Sequence, residues 1–208
     1  MLSTYFITGI GTEIGKTIAS AIVTEALQAD YWKPIQAGDL NHSDTQKVQN
    51  LISNEKTIFH PNSFSLNTPM SPHAAAEIDG IKMTSKNIKR PKSKNENLVI
   101  EGAGGLLVPI SNKEIIADLI SKEDKVLVVS RHYLGSINHT LLTIEALKAR
   151  GLQIAGIIFN GEKKDSTESI ILEMSGVPCV GRIDLEPYFD KNVIKEYAEK
   201  FQESLKAL

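Results

Sequence analysis

Sulfur, aromatic rings and net charge are all scarce in this sequence, and each scarcity removes a class of protein. A single cysteine, Cys179, leaves no partner for an internal disulfide, so 208 residues must be held by an ordinary core rather than by covalent staples. A chain of this order buries about 70% of the surface its unfolded form exposes, which suits one domain spanning residues 1–208. The Val-Pro-Cys-Val setting predicts that Cys179 is a buried strand residue and not a nucleophile. A net charge of −2 gives no long-range pull toward nucleic acid or anionic lipid. Lys82, Lys86, Lys89, Arg90, Lys92 and Lys94 do follow one another without an acid. They lack interleaved aromatics for base stacking, however, and read as a solvated loop. No apolar run approaches the ~20 residues of a membrane span. The first residues enter a strand with neither a basic leader nor an apolar signal segment, which predicts a cytoplasmic protein with no nucleic-acid or membrane partner.

Glycine is where it counts. In Thr8-Gly9-Ile10-Gly11-Thr12-Glu13-Ile14-Gly15-Lys16-Thr17, an apolar strand at 5–7 runs into a glycine-bearing turn and a helix runs out of it. Backbone without Cβ atoms approaches an anion closely, and the N–H groups of the loop and of the first helical turn point their positive ends at it. Lys16 adds a charge for the outer phosphates and Thr17 a hydroxyl for magnesium. The loop is one residue longer than the common G-x-x-x-x-G-K-[ST] pattern, which wants glycine where Ile10 stands. The context nevertheless fits: Ile18, Ala19, Ile22, Val23, Ala26 and Leu27 recur on one helical face.

Beyond the loop, strands and helices alternate. Strands are predicted at 31–35, 97–100, 125–130, 154–159 and 177–183. Helices are predicted from Ser43 or Asp44 to Ile52 and at 115–120, 137–149 and 166–174, with an amphipathic helix closing the chain from Ile194. Residues 106–110 read as a short extended segment, and 54–80, dominated by turn signals, as the least regular part. Such alternation predicts an α/β fold: a mainly parallel sheet with helices on both faces, of P-loop NTPase type. Ligands then lie at the carboxyl ends of the strands, where the loop, Lys33, Asp44 and the turn after Glu101 would meet.

Magnesium takes hard oxygen ligands, and Thr17, Asp44 and Glu101 supply them. Glu101 ends an apolar strand, and Gly102, Gly104 and Gly105 leave room for backbone beside phosphate. Asp44 has a second possible use, sharing the helix cap with Ser43. Lys33 precedes Pro34 at the same edge and is a cation the phosphate loop does not itself need. It suits negative charge developing on an acceptor or a transferring phosphoryl group. From these residues alone a magnesium nucleotide is bound and its γ-phosphate attacked, with the acceptor unspecified.

Several stretches taken together resemble the dethiobiotin synthetases: Tyr-Phe-Ile-Thr-Gly-(x)-Gly-Thr-Glu-Ile-Gly-Lys-Thr at 5–17, Trp-Lys-Pro-Ile-Gln-Ala-Gly at 32–38, Ser-Asp at 43–44, Ser-Pro-His at 71–73, Val-Ile-Glu-Gly-Ala-Gly-Gly at 99–105 and Gly-Ser-Ile-Asn-His-Thr-Leu-Leu-Thr at 135–143. The match runs to about Asn160. It implies an ATP-dependent ligase that takes diaminopelargonate and carbon dioxide to a carbamate, phosphorylates it and closes a ureido ring. The implied nucleotide contacts are Thr12, Glu13, Ile14, Gly15, Lys16, Thr17 and Ile18 in the loop. Asp44, Glu101, Gly102, Ala103 and Gly104 would flank it, and Asn160 would read the purine. Thr17, Asp44 and Glu101 would hold Mg2+, while Lys16 and Lys33 act catalytically. Thr12, Lys33 and Gln36 would touch the substrate, together with Gly135, Ser136, Ile137 and Asn138 from the second chain of a homodimer.

Two stretches depart from the family pattern. Ala37 stands where relatives commonly carry serine, which removes a hydroxyl, and 182–190 is short and unlike the loop that completes the base pocket. The same fold class also includes partitioning and septum-positioning ATPases. These carry a lysine five residues before the loop lysine, where this chain has Gly11. A GTPase would show Asn-Lys-x-Asp, and Asn112-Lys113-Glu114-Ile115 lacks the acid.

Overall fold

A computed structural model describes residues 2–208. Among the described residues nine strands are formed: β1 Ser3–Gly9, β2 Asp30–Trp32, β3 Ile35–Ala37, β4 Phe59–His60, β5 Phe64–Leu66, β6 Asn97–Glu101, β7 Lys125–Arg131, β8 Ile154–Asn160 and β9 Cys179–Ile183. Six α-helices accompany them among these residues: α1 Lys16–Leu27, α2 Asp44–Leu51, α3 Pro72–Ile78, α4 Ser136–Ala149, α5 Asp165–Ser175 and α6 Lys191–Lys206. Seven strands make one parallel sheet in the order β4-β2-β6-β1-β7-β8-β9. Later strands lie to one side of β1 and most earlier ones to the other, so the crevice at the carboxyl end of β1 is the switch point where such sheets take ligands.

Strand periodicity sorts the core into two layers. Tyr5 and Ile7 of β1, Val99 of β6 and Leu127 and Val129 of β7 pack with Ala19, Ile22 and Val23 of α1 and with Ile194, Tyr197 and Phe201 of α6. Their neighbours Phe6, Leu98, Ile100, Val126 and Val128 face the other way, onto Ala75 and Ala76 of α3 and Leu147 of α4. Beside them Ile144, Ile157, Phe159 and Ile171 join α4 and α5 to β8. Among the described residues no helix is long and apolar enough to cross a membrane.

Several sequence expectations need correction. The strand expected at 31–35 is two strands. Pro34 has no N–H to give a ladder, and the chain leaves the main sheet there, so β3 pairs with β5 in a separate two-stranded sheet. Residues 54–80, read as irregular, hold β4, β5 and α3, the last started by Pro72 in its first turn. Residues 106–110 form a turn with one isolated bridge, Pro109 to Ile115, rather than an extended segment. The helix expected at 115–120 is a 3-10 helix, Ile116–Leu119. Cys179 is exposed, not buried: β9 is the last strand of the sheet, and no further strand covers its outer edge. Within the basic stretch Lys82, Lys86, Lys89, Lys92 and Lys94 are exposed as expected, whereas Arg90 forks onto the buried Asp124.

Candidate active site

The phosphate loop is held from beneath by two adjacent strand ends. β1 delivers the chain at Gly9, and α1 begins at Lys16 with Gly15 as its N-cap and no side chain capping the first turn, so those N–H groups stay available. Arg131, last in β7, donates to the Glu13 carbonyl at 3.0 Å, and its register partner Asn160, last in β8, donates to the Ile14 carbonyl at 2.8 Å. In a planar trans peptide the N–H lies opposite the C=O, so fixing these two carbonyls turns the N–H groups of Ile14 and Gly15 the other way. Gly15 is required here: its φ is +93°, and a Cβ would lie 2.2 Å from Asn160 Nδ2. Lys16 arches over the loop and donates from Nζ to the Gly11 carbonyl at 2.8 Å. Burial pushes its pKa down to about 8, and Lys33 repels it further, against the pull of Glu101 and Asp44.

Next to the loop lies a buried knot of charge that the sheet register produces. Trp32 of β2 stands opposite Ile100 of β6, so one residue further on Lys33 meets Glu101, both on the face that packs against α1. Lys33 Nζ lies 2.9 Å from Glu101 Oε1 and 2.6 Å from Asp44 Oδ2. Thr17 on α1 donates to the same Glu101 oxygen at 3.1 Å, and the Tyr31 hydroxyl donates to the other at 2.8 Å. Burial alone would depress the lysine, but Glu101 and Asp44 outweigh it and hold the Lys33 pKa above its ordinary value. The Asp44 carboxyl, despite its own burial, is held low by Lys33. Burial, reinforced by Glu101, pushes the Tyr31 phenol well above its ordinary range, so it stays a donor.

Asp44 does not cap α2. Ser43 does, accepting from the Gln46 N–H while Gln46 reaches back to the Ser43 N–H, which leaves the Asp44 carboxylate to Lys33. Gln36 accepts from the Asp44 N–H at 3.2 Å and donates to the Gly38 carbonyl at 3.0 Å, so its amide orients backbone at the cavity wall.

These groups surround one cavity of about 1030 Å³. From the loop, Thr12, Glu13, Gly15, Lys16, Thr17 and Ile18 line it; from the sheet edge, Lys33, Gln36, Asp44, Glu101, Ala103 and Gly104. Ile14, Gly102 and Asn160 do not line it: Ile14 is buried and held by the partly exposed Asn160, and the Gly102 N–H donates to the Ile7 carbonyl at 3.0 Å. Gly135, Ser136, Ile137 and Asn138 open α4 and do not line the cavity of their own chain. Sequence reading missed several participants, among them Arg131, Tyr31 and Phe189. Tyr31 was detectable, being two residues before Lys33 on the same strand face. Phe189, which lines the cavity from the segment after β9, gave no periodic signal.

Magnesium accepts hard oxygens and keeps water and phosphate in its shell, so the two carboxylates and one hydroxyl of Asp44, Glu101 and Thr17 fit it. No group of three or more His, Cys, Asp or Glu side chains that could hold a metal ion occurs among the described residues, so a cation here draws its remaining oxygens from nucleotide and solvent.

A parallel sheet that delivers β1 into a Gly-Lys-Thr loop, with hard-oxygen ligands gathered at the neighbouring strand end, defines a P-loop α/β nucleotide-binding protein. Solved structures share the fold: the cell division ATPase MinD of Pyrococcus furiosus covers 98% of this chain and 99% of its own at TM-score 0.61 and 14% identity. The septum site-determining protein MinD of Pyrococcus horikoshii, solved with Mg-ADP, covers 98% and 90% at TM-score 0.59 and 14% identity. A family model described as an AAA domain matches residues 3–193. Sequence likeness is far closer elsewhere. The ATP-dependent dethiobiotin synthetase BioD of Christiangramia forsetii is 66% identical over 205 residues, covering 99% of each chain. That of Cytophaga hutchinsonii is 45% identical over 197 residues, covering 94% of this chain and 95% of its own. This chain belongs to the dethiobiotin synthetase family.

Proposed function

We infer that this chain is an ATP-dependent dethiobiotin synthetase. One observation carries the reading: a buried ammonium, Lys33, is held between two carboxylates at the rim of a phosphate loop, in the cavity that the loop lines. A nucleotide switch has no need of that second cation.

One amine of diaminopelargonate adds to carbon dioxide, forming a C–N bond and releasing a proton to give a carbamate anion. A carbamate oxygen attacks the γ-phosphorus of ATP, and ADP leaves. The second amine then attacks the carbamoyl carbon of the mixed anhydride, closing the ring and expelling phosphate with loss of a proton. Lys33 lies where negative charge on the carbamate and anhydride needs a partner, and its raised pKa keeps it charged throughout. Lys16, freed from the Gly11 carbonyl, steadies the outer phosphates along with the loop N–H groups. Asp44, Glu101 and Thr17 would hold Mg2+, which when bound neutralises charge on the phosphates.

The site is completed by a second copy of the chain. Two features support this. Leu107 and Leu142 are exposed, as are Tyr133, Leu134 and Ile137 around the start of α4. Leu107 and Leu142 line a groove of about 420 Å³ formed by the loop at 9–12, the turn at 105–109 and α4. The start of α4, which has no role in its own cavity, offers free N–H groups suited to the substrate carboxylate of the partner.

The assay is purified protein with ATP and magnesium, with and without diaminopelargonate and bicarbonate. Phosphate release is expected to require both additions and to match dethiobiotin formed. Release at an equal rate from ATP alone would overturn the reading in favour of a switch ATPase.

A further inference from the structure

At the carboxyl end of β8, beside the phosphate loop, the chain is braced by a guanidinium that does not line the cavity. Asn160 leads into Gly161, whose φ is +110°, and this turn is held on three sides. The His132 N–H donates to the Asn160 carbonyl at 3.2 Å, the Gly161 N–H donates to the Ile183 carbonyl at 2.9 Å, and Arg182 Nη2 donates to the Gly161 carbonyl at 2.8 Å. The other prong of Arg182, Nη1, lies 2.9 Å from Glu168 Oε1 on α5, and that same oxygen lies 2.8 Å from His132 Nε2. Arg182 also lies 3.2 Å from Asp184, which opens the segment carrying Phe189 to the cavity wall. Its side chain is 17% exposed, Glu168 13% and His132 2%. One rigid fork thus ties β9, α5, the Asn160 turn and the start of the 184–190 segment together, a task that the single point charge of lysine performs only in part.

We propose that Arg182 is the positioning residue for base recognition, fixing the Asn160 turn against the 184–190 segment and so setting which nucleotide base the enzyme prefers. The proposal rests on the reading of Asn160 as the base-contacting residue. One N–H of the Asn160 carboxamide is engaged by the Ile14 carbonyl. Its second N–H and its oxygen remain for a base edge, and where they point depends on the backbone that Arg182 holds. Lys16, Lys33, Asp44 and Glu101 have no hydrogen bond or ion pair to Arg182, Glu168 or His132, so the brace reaches the phosphate loop through the Asn160–Ile14 bond and not through the charged groups.

The test compares full-length wild type with Arg182→Gln, Arg182→Lys, Glu168→Gln and Asn160→Ala, each assayed for dethiobiotin formation with ATP, CTP and GTP as donors. Arg182→Gln is expected to raise KM for ATP roughly tenfold and to compress the ATP:CTP ratio of kcat/KM, with kcat at saturating ATP within about twofold of wild type. Arg182→Lys restores part of the ratio. Glu168→Gln, which loosens the same fork from its other end, moves the ratio the same way and serves if Arg182→Gln does not fold. An unchanged ratio in both variants, or an equal loss for every donor, overturns the proposal, as does a wild-type enzyme without base preference. If Asn160→Ala compresses the ratio while the Arg182 and Glu168 variants leave it intact, the brace fails and the Asn160 reading stands. If Asn160→Ala leaves the ratio untouched, both fall.

Discussion

Replacing Lys33 with methionine separates the catalytic use of this residue from its structural one. Methionine keeps most of the aliphatic volume and removes only the charge and its donors. Two carboxylates then face each other without the ammonium that lay 2.6 Å from one and 2.9 Å from the other. Removing one partner of a buried ion pair costs about 3–5 kcal/mol. Glu101 retains the Thr17 and Tyr31 donors and the Asp44 side chain is 21% exposed, which places the loss near the lower end, at about 3 kcal/mol. At about 2–4 °C per kcal/mol for a chain of this size, Tm falls by roughly 6–12 °C. Mg-ATP brings positive charge to the same two acids, so it raises Tm more in Lys33→Met than in wild type, where the lysine competes for them. Dethiobiotin formation falls at least a hundredfold, on the order of the loss from removing one preorganised charge-stabilising donor, while ATP affinity changes only a few-fold. Differential scanning fluorimetry with and without Mg-ATP, run beside the turnover assay, reads all of these. An unshifted Tm, or turnover equal to wild type, would refute the account of the knot.

Lys16 gives a pH dependence of definite sign. Its pKa in the free protein is near 8, and bound triphosphate favours the ammonium form, so nucleotide binding takes up a proton above that pH. ATP affinity is therefore flat well below pH 8 and weakens above it by up to about tenfold per pH unit, measured by calorimetric titration in buffers of different ionisation enthalpy. In Lys33→Met the weakening moves to higher pH, because one source of repulsion is gone. Leu142→Glu, on the exposed face of α4 and outside the cavity, tests the shared site: light scattering is expected to show a dimer for wild type and a monomer for the variant, with turnover lost alongside. A fully active monomer would exclude a contribution from the second chain.

What was legible in the sequence follows the range over which each signal acts. The strand-loop-helix that begins with the strand at 5–7 and the helix cap at Ser43 are local, and the structure has both. Buried runs such as 125–130 and 154–159 announce parallel strands because both faces are covered, and they form β7 and β8. Segments that owe their structure to distant partners were not legible. β3 and β5 are three residues each and exist by pairing with one another across 26 intervening residues, 38–63, which are loop and helix apart from the two of β4. Cys179 failed for the opposite reason: its neighbours read as a core strand, but burial of an end strand depends on what lies beyond it, which no local pattern records. Glu101 was found from its position at a strand end and Asp44 from its place at a helix start on the same edge of the sheet. That Asp44 serves Lys33 rather than the helix cap needed the Ser43 rotamer and the β2–β6 register.

The fold alone does not distinguish a ligase from a nucleotide switch, since the MinD structures share it at 14% identity. Two positions in the same small volume do. At Gly11, where partitioning-type ATPases place a lysine, an added Cβ would meet only Ile14 Cγ2 at 4.0 Å, so packing does not forbid a side chain there. The Gly11 carbonyl instead receives Lys16, and the loop presents one cation of its own. The second comes from Lys33, whose place is set by the sheet rather than by the loop: one step of register past Trp32 and Ile100, beside Glu101, on the α1 face. A charge carried by a strand end stays in place while the loop adjusts around phosphate, which suits a reaction in which the acceptor must remain bound through two successive attacks.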